Sequence, residues 1–154
     1  MIGGFGQWAS AGNAVSTEAT VVEPGAAPAV DEAVFTLVDG FLSSLPAGYY
    51  TVKPIDLQVE LSGDAAPITI DVRTQSERAG GFIADSLFIP LNELMTRVAE
   101  WPQDKAVAIV VYDNPTHRST IALVAMRLLG YENVRALAGG IGGWTSNQLP
   151  LVTE

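Results

Sequence analysis

Two short runs of β-branched and apolar residues, Ile68-Thr69-Ile70-Asp71-Val72 and Ala106 to Tyr112, constrain this chain most. Both are too short for a helix and lack the polar alternation of a strand with one wet face. They read as strands of a parallel sheet buried on both sides. Ser86–Ile89 and Val134–Leu137 are two shorter strand candidates. Parallel strands need crossovers, and helices are expected between them at 76–79, 90–100 and 119–129, the last closed by Gly130. The 119–129 helix is apolar on nearly every side, so it should pack on the sheet and be largely buried. The pattern is α/β, with three layers and a mostly parallel central sheet flanked by helices.

Upstream, Val34, Leu37, Val38, Phe41, Leu42 and Leu45 recur at the spacing of an amphipathic helix, with Asp31 as N-cap and Pro46 as stop. A short strand follows at 49–52, and a helix from Pro54, a first-turn proline, to Gly63. Residues 1–30 are rich in Ala, Gly, Ser, Thr, Val and Pro without a sustained period. They read as a flexible tail or linker in which Phe5 and Trp8 are the residues able to dock. Residues 31–154 then form one domain with a helical lead-in.

Between the strand ending at Tyr112 and the helix opening at Ser119 lie Asp113, Asn114, Pro115, Thr116, His117 and Arg118. Loop amides and a helix N-terminus converge there into an anion cradle, at the carboxyl end of a strand where α/β sheets bind ligands. Arg118, Ser119, His117 and Thr116 are the anion-binding candidates. At the first position, where a nucleophile would stand, the chain carries the carboxyl of Asp113. Aspartate attack on phosphoryl groups or sugars normally needs a metal or a second carboxylate, and the loop offers neither. Asp113 therefore reads as a structural plug that accepts loop amides and pairs with Arg118. His117 reads as a satisfied or exposed imidazole and Ser119 as the helix cap. Asp71, Arg73 and Glu77 read as architectural, with Arg73 and Glu77 forming an ion pair across one helical turn. Gly139 to Gly143 is a strand-to-helix turn, because too few residues follow for a dinucleotide unit. Trp101, Tyr131 and Trp144 read as core or edge aromatics.

Composition removes several function classes. The net charge of -9 argues against nucleic acid as a partner. With no cysteine and one histidine, disulfides, thiolate catalysis and the usual metal sites are excluded, so neither a metal nor another cofactor is expected. No run of about 18 apolar residues is present, so no transmembrane segment is expected. The opening MIGGFGQWAS lacks a basic region and is not an intact signal peptide.

Four segments in order resemble the rhodanese homology domain. Ile70-Asp71-Val72-Arg73 with Glu77 resembles its D-V-R-x-x-x-E, and Gly81 to Ser86 leading to Ile89-Pro90-Leu91 resembles G-H-I-P-G-A…I-P. Tyr112 to Ser119 stands where the family reads Y-C-x-x-G-x-R-S. Gly130-Tyr131-Glu132-Asn133-Val134 through Gly139-Gly140 to Trp144 resembles G-Y-x-N-V-x-x-L-x-G-G-x-x-x-W. The stretch 41–53 also resembles the lead-in of exported single-domain bacterial rhodaneses. The resemblance implies a parallel sheet flanked by helices and a cysteine persulfide in the loop. The departures fall where that chemistry would occur. Asp113 replaces the cysteine, Thr116 the loop glycine, Phe82 the histidine, Ala84 the proline and Asp85 the glycine, while Pro115 removes an amide donor.

The resulting expectation is a rhodanese-like domain inactive as a sulfurtransferase and serving as a binding, regulatory or scaffold module. The alternatives are a thiosulfate or persulfide sulfurtransferase whose cysteine was replaced by engineering, and an anion-binding module. The partner would be an unidentified protein or a second copy reached through the tail. The linker-like tail, the absent thiols and the lead-in favour an extracytoplasmic location, by export or by a lipid anchor upstream of residue 1, over a cytoplasmic one.

Overall fold

The computed structural model describes residues 4–153. Within residues 4–30 there is one short helix, α1 (Gly4–Ser10), and no strand. Trp8 on α1 donates its indole Nε1–H to the Ala14 carbonyl at 3.1 Å and remains exposed.

From Asp31 onward the order is α2 (Glu32–Ser43), β1 (Thr51–Val52), α3 (Pro54–Leu61), β2 (Ile68–Asp71), α4 (Gln75–Arg78), β3 (Leu87–Phe88), β4 (Ile109–Tyr112), α5 (His117–Leu128), β5 (Val134–Leu137) and α6 (Gly140–Ser146). The five strands form one sheet in the order β1-β5-β4-β2-β3, with every pair parallel. A parallel sheet hides both faces, and β4 is buried at all four positions. Its side chains alternate between two cores. Ile109 and Val111 join Ile70, Leu123 and Met126 on one face, while Val110 and Tyr112 join Leu57, Ile83 and Trp144 on the other. Thus α5 covers one side of the sheet, and α3 and α6 cover the other. Trp101 and Tyr131 meet edge to face in the first core at 5.5 Å.

Several expectations need correction. The helix expected over 90–100 is instead two single 3-10 turns, Leu91–Glu93 and Val98–Glu100. Arg97 fixes the second by ion pairs to Glu93 and Glu100, local contacts that do not extend a helix. On α5 only one face is buried (Ser119, Ala122, Leu123, Met126), and Ile121 is 58% exposed, because a sheet covers only one side of a helix. The strands are shorter than their apolar runs: pairing begins at Ile109, and Tyr49 and Tyr50 both sit in the left-handed region before β1.

On α2, capped by Asp31 as expected, the apolar stripe does not close over the core. Phe41 stacks on Tyr50, but Val34, Phe35, Leu37 and Leu42 stay exposed. The sheet already has its cover on that side from α5.

These two classes of apolar residue give contrasting predictions. Ile70→Ala should cost about 2–5 kcal/mol, since it empties space between sheet and α5. Val34→Ala should change stability by less than about 0.5 kcal/mol. Urea unfolding midpoints at constant slope measure both.

Candidate functional site: the loop after the central strand

The parallel register pairs Asp71 with Tyr112, so the segments leaving β2 and β4 run side by side at the carboxyl edge of the sheet. The first segment is locked by Asp71. Its Oδ1 accepts the Arg73 backbone N–H at 3.0 Å and Nε at 2.9 Å, and its Oδ2 accepts Arg73 Nη2 at 2.7 Å and Arg78 Nη1 at 3.4 Å. Arg73 also donates to the carbonyls of Glu77 and Gly81. Two arginines on one buried carboxylate satisfy both of its oxygens and compensate its negative charge. The Arg73–Glu77 ion pair expected from their spacing does not form; Arg73 takes the closer Asp71.

Glu77 instead closes a capping box on α4. Thr74 donates its backbone N–H and its hydroxyl to Glu77 Oε2 at 3.0 and 2.8 Å, and the Glu77 N–H donates to Thr74 Oγ1 at 3.4 Å. Held in this way, the carboxylate receives Arg118 as a two-pronged fork, Nη1 to Oε2 at 2.7 Å and Nη2 to Oε1 at 2.6 Å. This hydrogen-bonded fork holds the Glu77 carboxyl down at about 2, and the pair raises the Arg118 guanidinium above its ordinary value.

Asp113 follows β4 directly and is fully buried. Oδ1 accepts the Ser119 hydroxyl at 2.8 Å, and Oδ2 accepts the Arg118 backbone N–H at 2.9 Å. The Arg118 Nε lies 3.5 Å from Oδ2, the edge of a contact. The expected Asp113–Arg118 pair is therefore secondary, and Glu77 is the main partner of that arginine. Both oxygens of Asp113 are nevertheless occupied from within the chain. Ser119 is not the helix cap: α5 begins at His117 after Thr116, and Ser119 turns inward to Asp113 and to the Thr116 carbonyl. The Thr116 side chain makes no capping bond. His117 is exposed, and its ring forms no hydrogen bond or ion pair among the described residues.

A second loop clamps the first from outside. The Ile141 N–H donates to the Asp113 carbonyl at 2.8 Å. A Cβ on Gly140 would overlap the carbonyl oxygens of Asp113 and Pro115, and Gly140 has φ +54°, so only glycine fits. The 139–143 stretch is thus the strand-to-helix turn expected, with the added task of covering the 113–116 loop. Asp85, standing for a glycine in the resemblance, has φ +58° and keeps the backbone conformation glycine supplies without cost. Phe82, standing for the histidine, lies under the Arg78 guanidinium at 3.5 Å. Tyr112 receives the Ile83 N–H and shares a hydrogen bond with Ser86 at 2.9 Å, and burial pushes its phenol up to about 12.

Three features escaped the sequence reading: the Glu77–Arg118 fork, the Arg78–Phe82 stack and the Gly140 clamp. The T-x-x-E of the capping box, Thr74 to Glu77, is the one signal that would have placed Glu77 correctly.

A family model, the rhodanese-like domain, matches residues 55–147. A sulfurtransferase of Allochromatium vinosum is 36% identical over 85 residues, covering 55% of this chain and 78% of that protein. An uncharacterised protein of Synechocystis is 34% identical over 102 residues, and the match covers 66% of this chain and 55% of that one. A crystal structure of a rhodanese-related protein from Thermoplasma volcanium is 29% identical with a TM-score of 0.62, covering 69% of this chain and 100% of its own. The all-parallel five-stranded sheet flanked by helices is that of the rhodanese-like fold. The chain belongs to the rhodanese-like domain family, and it has no cysteine.

The depressed Glu77 value fixes a pH dependence. Because the carboxyl ionises at about 2 in the folded chain against 4.5 ordinarily, the fork stabilises fully above 4.5 and is lost as pH falls from there to 2. Glu77→Gln should flatten that part of the stability–pH curve, as followed by circular dichroism during urea unfolding at stepped pH.

Proposed function

We propose that this domain is silent as a sulfurtransferase and works as a binding, regulatory or scaffold module. One observation carries the reading: the position of the sulfur-carrying thiol holds a buried carboxylate whose two oxygens are already bonded to Ser119 and Arg118. Sulfane-sulfur transfer needs a polarisable thiolate that forms and breaks an S–S bond, and a carboxylate has no sulfur atom to form one. The strongest donors of the loop are also already engaged within the chain. Pro115 lacks an N–H, the Arg118 N–H is spent on Asp113, and the Arg118 guanidinium is spent on Glu77. An oxyanion at Arg118, Ser119, His117 and Thr116 would have to displace two intramolecular carboxylates, so the anion-binding alternative is the weaker reading.

Two measurements test it. A thiosulfate-to-cyanide assay should give thiocyanate at the uncatalysed rate only, and turnover above that rate overturns the assignment. Asp113→Ala should lower stability by about 1–3 kcal/mol, because it strips the partner from a buried hydroxyl and a helix N–H. An unchanged or raised stability would mark Asp113 as a functional group held at a cost to the fold.

A further inference from the structure

Every arginine of the chain except Arg127 contacts a carboxylate: Arg73 and Arg78 on Asp71, Arg97 on Glu93 and Glu100, Arg118 on Glu77, Arg135 on Glu60. Arg127, near the end of α5, has none among the described residues. It is nevertheless held firmly. Its Nε donates to the Val134 carbonyl at 2.9 Å, and its guanidinium carbon lies 3.4 Å above the centre of the Tyr50 ring. Neither Nη group has a hydrogen-bond partner among the described residues. Partial burial lowers the guanidinium below its ordinary value, so the cation is partly desolvated and has no carboxylate partner among the described residues.

Arg127 and Tyr50 line a crevice of about 430 Å³, together with Pro46, Ala108, Asn133 and Arg135. Thr51, Ala108 and Asn133 mark the start of β1, β4 and β5, which puts the crevice at the amino end of the sheet. The Asp113 loop leaves the opposite end. The turn that sets Tyr50 under the guanidinium is strained. Tyr49 and Tyr50 have φ +48° and +56°, two successive side-chain-bearing residues in the left-handed region. The outcome of that strain is a rigid, half-dry arginine fork backed by an aromatic face.

We propose that this crevice binds a monovalent carboxylate attached to a flat apolar body, with the two Nη groups of Arg127 gripping the carboxylate and the apolar wall formed by Tyr50, Pro46 and Ala108 receiving the body. The fork matches a carboxylate bidentately, and its pre-set orientation removes most of the ordering cost of binding. A net charge of -9 disfavours multiply charged anions such as phosphate by long-range repulsion. Two sources share this chemistry: a free small acid, and the terminal carboxylate of a peptide.

The test uses amide NMR of the full chain, titrated with benzoate, with its neutral isostere benzamide, with inorganic phosphate, and with acetyl-Ala-Phe bearing a free or an amidated terminus. Benzoate should shift the Tyr50, Arg127 and Asn133 resonances saturably, with benzamide inert and phosphate weaker. Arg127→Lys, which keeps the cation and the alkyl stem but loses the fork, should weaken benzoate by about tenfold. Tighter binding of the free-acid peptide than of benzoate assigns the site to a protein terminus, and the reverse order assigns it to a small acid. The proposal is overturned if neither acid gives a saturable shift, or if benzamide, the amidated peptide or phosphate matches benzoate. Wild-type affinity in Arg127→Lys also overturns it. The benzamide comparison needs no variant, so the result stands even if the substitution unfolds the chain.

Discussion

The parallel pairing of β2 with β4 sets everything at the carboxyl edge of the sheet. Its register brings Asp71 level with Tyr112, so two segments 41 residues apart leave the sheet as neighbours. Only in that arrangement can Arg118 on α5 reach Glu77 on α4. The edge then becomes a chain of charge-assisted bonds, from Asp71 through Arg73 to the backbone of Glu77, and from the Glu77 side chain through Arg118 to Asp113. Each carboxylate in it has at least one guanidinium or amide partner, the condition under which buried charge is tolerated.

Within this frame the buried Asp113 does not leave a defect. A carboxylate is larger and harder than a thiol and accepts two hydrogen bonds, and the chain supplies both from α5. The surrounding departures fit the same arrangement. Phe82 covers Arg78, Asp85 holds a left-handed turn, and Gly140 lets the second loop close down on the carbonyls of the first. The loop after β4 is thus closed around one of its own carboxylates.

The amino edge of the sheet is the counterpart. There Arg135 pairs with Glu60, but Arg127 is stacked and anchored without a carboxylate among the described residues, beside a turn that carries two left-handed tyrosines. The two ends of one sheet therefore differ in electrostatic completeness, a difference invisible in the net charge.

Much of this was legible in the residues. The apolar runs at 68–72 and 106–112 located the central strands, the two-residue alternation on β4 follows from strand geometry, and the position of Asp113 after β4 follows from the end of an apolar run. The 90–100 helix and the Arg73–Glu77 pair were misread because local spacing was the only guide available. Periodicity reports which residues can share a face, and it cannot report that a neighbouring helix has already covered the sheet, as α5 does beside α2. Spacing likewise names possible partners along the chain, whereas Asp71 won Arg73, and Arg118 won Glu77, through contacts created by strand register. Sequence alone determined the strand–loop–helix order and the absence of any thiol, both properties of covalent order. Tertiary structure alone decided which charges are paired and which arginine is left without a carboxylate, because pairing depends on distances that only the folded sheet sets.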